Sequence, residues 1–310
     1  MALAAMVVGL VTTLAVLPGA GASASTTSAG NAAVVSSESS PYGKVLMVGS
    51  GTYSGYSLYA FDRNTPGACT TTKVTVQKMQ LSCTGPESDT TADWPALTTV
   101  GKPVAGPGVD QRLLGTVHRT DIDADQVTYA GRLLYLFDTK PHVFQGENFM
   151  ETALPLPPWH GLWYLVSAGN GTPAVGPVPV ATEKIPNGPT VLAAAMFQGM
   201  GATPITVYTY SKDKKDHSMC SGACALSWPP VLTTAPPEAV GLPAASLGEA
   251  KRSDGTEQLT YEGKPLYFYS GEVPQLDPAT GNPLNPATIG TGNGLATGGG
   301  HFSIVPAPTS

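Results

Sequence analysis

The chain carries one stretch of sequence twice, and that repetition limits the architectures open to it. Residues 114–135 read LGTVHRTDIDADQVTYAGRLLY, and residues 247–267 read LGEAKRSDGTEQLTYEGKPLY. Allowing one extra residue in the first, both hold Leu-Gly, a basic residue followed by Arg, an Asp-containing turn, Gln-x-Thr-Tyr-x-Gly and a closing Leu-Tyr. Tyr129 and Tyr261 lie 132 positions apart, and Trp94 and Trp228 lie 134 apart. Offsets this constant point to tandem duplication. The copies run over 42–168 and 190–308, each long enough to bury a core of its own. Between them, 169–189 carries Pro173, Pro177, Pro179, Pro186 and Pro189 and reads as an extended Pro/Gly-rich linker.

The repeated stretch is a hairpin signal. Val127-Thr128-Tyr129 and Leu133 to Phe137 flank Ala130-Gly131, and Leu259-Thr260-Tyr261 and Leu266 to Tyr269 flank Glu262-Gly263. β-Branched and aromatic runs around an x-Gly pair favour antiparallel strands. Beyond the N-terminal apolar run, no segment keeps a helical apolar stripe for three turns. Only 12% of residues are charged, while 36 are Gly and 29 are Pro. That composition excludes coiled coils and long-helix bundles. The 16 Lys and Arg form no basic run, so no nucleic-acid partner is expected. The expectation is an all-β, turn-rich fold: a tandem duplication of a small antiparallel β-sheet module.

Ala2 to Leu17 is apolar or small apart from two threonines, Pro18-Gly19 ends the run, and Ala22-Ser23-Ala24 offers a small-residue cleavage site. Residues 1–24 read as a signal peptide and 25–41, rich in Ser, Thr, Ala and Gly, as a flexible leader. The mature chain is then expected to be secreted and extracellular, either released or loosely associated with the cell wall, with no membrane span after signal removal.

Four aromatic pairs recur: Tyr59-x-Phe61, Tyr135-x-Phe137, Tyr208-x-Tyr210 and Tyr267-x-Tyr269. The third is trailed by Asp213 and by Cys220-Ser-Gly-Ala-Cys224-Ala-Leu-Ser-Trp228-Pro-Pro. These features together resemble a bacterial family, the secreted repeat of unknown function, whose predicted lipoproteins carry a Tyr-x-aromatic-x-x-Asp motif. The resemblance implies an exported, β-rich, lipoprotein-like protein of the cell envelope without an established activity. This chain departs from the pattern in places. Asn64 stands where the first repeat's acid belongs, Glu272 replaces Asp in the fourth, and no Cys for lipid attachment precedes Cys69.

Residues two apart on a strand share a face, so each pair is either compact core or an aromatic surface for a ring-bearing ligand such as a glycan. Core is the stronger reading, since large exposed apolar patches are rare on soluble proteins. Asp213 reads as a turn residue bonding local backbone N–H groups. Four Cys allow three disulfide pairings, and the duplication favours Cys69–Cys83 and Cys220–Cys224. The alternative makes His217, Cys220 and Cys224 ligands for copper or zinc, or the two Cys a redox dithiol. Asp121-Ile-Asp123-Ala-Asp125 begins like a calcium loop but has Gln126 and Arg132 where Gly and Glu belong, so it reads as a turn. No hydrolase, metalloprotease or nucleotide-binding signature is present. The expectation is therefore a non-catalytic binding module for an unidentified envelope ligand or protein, with no resident cofactor. The alternative is an extracellular metal-binding or thiol-redox module.

Overall fold

The computed structural model describes residues 32–76, 79–89, 91–137, 141–144, 149–151, 161–198, 201–273 and 288–308. The signal segment 1–24 lies outside these residues. The fold is all-β: short strands are arranged in small sheets, with one short α-helix, Ala223–Ser227, and a few 3-10 turns among the described residues.

The hairpins form where the x-Gly pairs place them. Ala124–Tyr129 turns into Arg132–Leu133 through Ala130 and Gly131, at φ of 49° and 77°, and Glu257–Tyr261 turns into Lys264–Pro265 through Glu262 and Gly263, at 49° and 74°. Two successive left-handed residues are what a two-residue hairpin requires, and Gly at the second position carries that conformation without a Cβ penalty. Each long hairpin strand also pairs with the one before it, Leu114–Arg119 in the first half and Leu247–Lys251 in the second.

The other sheets of the two halves correspond as well. Val34–Ser40 lies between Gly43–Val48 and a parallel partner, Val104–Ala105. Pro179–Lys184 lies between Thr190–Gln198 and its own parallel partner, Glu238–Ala239. Tyr59–Phe61 pairs antiparallel with Gly161–Leu165, and Tyr208–Tyr210 with Gly300–Ile304. Cys69 and Cys83 are 14 positions apart against 4 for Cys220 and Cys224, and the longer span holds a ribbon of Val74–Val76 and Met79–Leu81.

Two stretches read as leader and linker carry strands. Val34–Ser40 begins inside the expected leader, and Pro179–Lys184 inside the expected linker. The cause is burial of β-branched side chains: Val35, Val175, Val178 and Val180 all sit in the core. Pro179 opens its strand, where a missing N–H costs no ladder bond.

Residues Asn31–Ser310 form one compact unit. A single aliphatic core joins the halves, with Val35, Leu46, Leu58 and Leu134 in the same buried cluster as Val180, Leu192, Ile205 and Leu266. Each half adds an aromatic cluster of its own, one around Trp94 and one around Trp228.

Candidate functional site

In each half one ring from each aromatic pair joins two further rings in a column of four, stacked throughout in the second half and tilted at the Phe137 end in the first. In the first, Phe61 lies 4.5 Å from Trp163, Trp163 is 3.9 Å from Trp94, and Trp94 is 4.4 Å from Phe137, centroid to centroid. In the second, the order is Tyr210, Phe302, Trp228 and Tyr269, at 4.5, 3.7 and 4.6 Å. The leading tyrosines stand edge-on to the columns: Tyr59 against Trp94 and Tyr135 against Trp163, Tyr208 against Trp228 and Tyr267 against Phe302. The motif thus divides its labour. Its second ring enters the stack and its first flanks it. Tyr59, Phe61, Tyr135, Tyr208, Tyr210 and Tyr267 are buried, while Phe137 and Tyr269 are half-buried ends. Each such ring pair adds about 0.5–1.5 kcal/mol beyond its buried area.

Backbone hydrogen bonds lock the two motifs of a half together. The N–H and C=O of Tyr59 bond those of Tyr135, and Tyr208 does the same with Tyr267, all at 2.9 Å. In the second half the trailing acids complete a reciprocal exchange. Tyr267 donates its hydroxyl to Oδ2 of Asp213 (2.8 Å), and Tyr208 donates to Oε1 of Glu272 (2.5 Å). Each repeat's acid therefore serves its partner's tyrosine. Asp213 also accepts from the backbone N–H of Met219, six residues on, at 2.7 Å. Burial raises the Asp213 carboxyl above its ordinary value, against the lowering effect of these bonds. Burial likewise raises the phenols of Tyr208 and Tyr267. In the first half Asn64 occupies the acid's place and bonds backbone instead, accepting from Leu133 N–H and donating to Gly131 C=O, both at 2.8 Å.

The disulfides Cys69–Cys83 and Cys220–Cys224 are both formed. The carbonyl of each first cysteine accepts from a buried arginine, Arg119 Nη2 at 2.7 Å and Arg252 Nη2 at 3.0 Å. The carbonyl of each second cysteine accepts from a tryptophan N–H, Trp94 and Trp228, both at 2.9 Å. Each arginine also donates to a buried glutamine, Gln126 or Gln258, whose amide in turn donates to the hairpin carbonyl of Leu134 or Leu266. These arginines and glutamines were visible as repeated letters, but repetition alone does not say that a charge is buried.

His217 is exposed in the turn where Lys214 and His217 bridge. Cys220 and Cys224, joined to each other, present no thiolate beside it. Among the described residues, no three His, Cys, Asp or Glu side chains gather in a way that could hold a metal ion. His118 and His142 lie on the surface, paired with Asp125 and Glu38. His160 is outside the described residues. Asp121, first in the calcium-like run, takes both ends of Arg119.

Two of the open depressions on the described surface are lined by lysines. A polar cleft of about 390 Å³ lies where the halves meet, between Lys44, Asn170 and Thr172 on one side and Thr234, Lys251 and Glu257 on the other, with Tyr42 at its wall. A wider groove of about 920 Å³ runs beside Lys214, Lys215, Lys264 and His301. The comparison with known families falls on the second half. Residues 202–232 match a secreted repeat of unknown function. The match takes in the Tyr208–Tyr210 pair, Asp213, the disulfide loop and Trp228. No curated protein and no solved structure matches the chain.

Proposed function

We propose that this protein is a non-catalytic extracellular binding module of the cell envelope, and that it holds a saccharide in the cleft between its halves. The observation that carries this reading is the cleft itself. Its walls come from both halves and combine hydroxyl, amide, ammonium and carboxylate groups with the flank of Tyr42. Ligand sites favour such junctions, and a cleft of this size falls in the usual range for small ligands. Mixed donors and acceptors match the hydroxyls of a sugar, and a tyrosine ring matches its C–H face. The aromatic motif is occupied in building the scaffold, which leaves the loops to meet a ligand. Two disulfides and the secreted character of the matched repeat support an extracellular location. No helix among the described residues is long and apolar enough to cross a membrane. The tandem duplication read from the sequence is supported by the corresponding sheets, columns and arginines.

Calorimetric titration with soluble cell-wall glycan fragments tests this. Binding is expected, with Asn170→Ala and Lys251→Ala each weakening it about tenfold, or about 1.4 kcal/mol. Unchanged affinity in both variants would remove the cleft from the mechanism. Thiol titration separates the metal or redox alternative: no free thiol and no copper uptake are expected in the native protein, and stoichiometric copper on His217 would favour that alternative.

A further inference from the structure

The second half contains a chemical arrangement that ligand binding does not use. Tyr208 is fully buried, and its hydroxyl donates to Glu272 Oε1. Glu272 is itself 1% exposed. The same oxygen accepts from the N–H and hydroxyl of Thr291 and from Gly292 N–H, whereas Oε2 is buried with no hydrogen-bond partner among the described residues. Oε2 therefore has lone pairs that can accept a proton. Glu183 lies close enough to feel the charge of this carboxylate: its carboxyl is raised by burial first and by Glu272 second.

Beside this pair stands the ring column. Tyr208 meets Trp228 edge-on at 5.3 Å, and Trp228 stacks on Tyr269 at 4.6 Å. Tyr269 is half-buried and forms the solvent-facing end of the column. Electron-rich rings in contact thus lead from the surface to a phenol whose proton already points at a carboxylate. Burial holds the Tyr208 phenol far above its ordinary value, so the phenolate does not form by simple ionisation. The proton leaves only if an electron leaves with it.

We propose that Tyr208 and Glu272 form a one-electron oxidation site that quenches radical oxidants arriving at the Tyr269 face. The oxidant, a peroxyl-type radical, takes one electron and becomes its anion. The electron comes from Tyr208 through Trp228 and Tyr269, and the O–H bond of Tyr208 breaks. Its proton forms a new O–H bond on Glu272, so the products are a neutral Tyr208 phenoxyl radical, a neutral Glu272 acid and the reduced anion. Tyr267, bonded to Asp213, is the second carboxylate-paired phenol of the cluster. It stands against Phe302, a ring much harder to oxidise than Trp228. In the first half Tyr135, the counterpart of Tyr267, has its hydroxyl facing the guanidinium of Arg119 at 3.5 Å. A guanidinium cannot take up that proton.

Flash photolysis of the full chain with a ruthenium(III) polypyridyl oxidant, followed by freeze-quenching and electron paramagnetic resonance, tests the assignment. The wild type is expected to give a neutral tyrosyl spectrum that forms more slowly in D2O. Tyr208→Phe should abolish that spectrum, and Glu272→Gln should replace it with a tryptophanyl one, both in protein whose circular dichroism is unchanged. Tyr135→Phe should leave it intact. A tyrosyl signal that persists in Tyr208→Phe overturns the proposal. Equal rates in H2O and D2O, measured on the wild type and so independent of any variant's folding, also overturn it.

Discussion

The two halves hold their buried arginines differently. Arg119 has a fully buried side chain and grips Asp121 at two points, 2.8 and 2.7 Å, with that carboxylate only 28% exposed. Arg252 is nearly as sheltered, yet the acid it pairs with, Asp254, is 3.7 Å away and 55% exposed. Ser218 stands in, accepting from Arg252 at 2.8 Å and sharing a hydrogen bond with Tyr267 at 2.7 Å. The first half neutralises its cation with an adjacent carboxylate. The second spreads it over neutral acceptors and commits its acids, Asp213 and Glu272, to the tyrosines. One scaffold can thus solve the same burial problem in two ways and leave different chemistry available.

Four measurements sharpen or break that contrast. The largest effects should be equal in the halves: Trp94→Ala and Trp228→Ala each remove the centre of a column and should cost about 3–5 kcal/mol in urea unfolding. A marked inequality would mean that one column is not core. Next come the crosslinks. By loop entropy, replacing Cys69 and Cys83 with Ser should cost about 3 kcal/mol and replacing Cys220 and Cys224 about 2. Asp121→Asn should cost about 2 kcal/mol, below the figure for a fully buried pair because Asp121 keeps some water. Asp254→Asn should cost under about 1. Equal losses from the last two would erase the distinction drawn here.

The smallest effect is in pH dependence, and its sign differs between the halves. Burial pushes Asp121 up, but the hydrogen bonds and charge of Arg119 prevail and hold its carboxyl below the ordinary value. Its contribution is present above the unfolded value, about 3.9, and is lost as pH falls through the lower folded one. Asp213 is raised, chiefly by burial, so its contribution is present below the unfolded value and is lost as pH rises through the folded one. Asp121→Asn should flatten the acid limb of the stability profile, and Asp213→Asn the limb just above it.

The hairpins and their turns were legible because every cue was local: alternating apolar residues around Ala130-Gly131 and Glu262-Gly263. The inward aromatic pairs were legible for the same reason, since i and i+2 share a face. The strands at Val34–Ser40 and Pro179–Lys184 were not, because their parallel partners lie roughly sixty to seventy positions away. Five prolines masked the second of them. The column rings Trp163 and Phe302 arrive from closing strands distant in sequence, so stacking could not be read from spacing. Asp213 was read as a turn residue, and it does bond a nearby backbone N–H. Its second bond, to Tyr267, depends on the pairing of two motifs across space. Glu272 stood out only as a departure from Asp. Its reach to Tyr208 needed the fold.

The aliphatic core that runs through both halves has a thermal consequence. Neither half can melt while the other stays dry, because Leu134 and Leu266 share one buried cluster. Calorimetry of the full chain should show one endotherm rather than two, and a half expressed alone should present a greasy wall to its neighbours and precipitate.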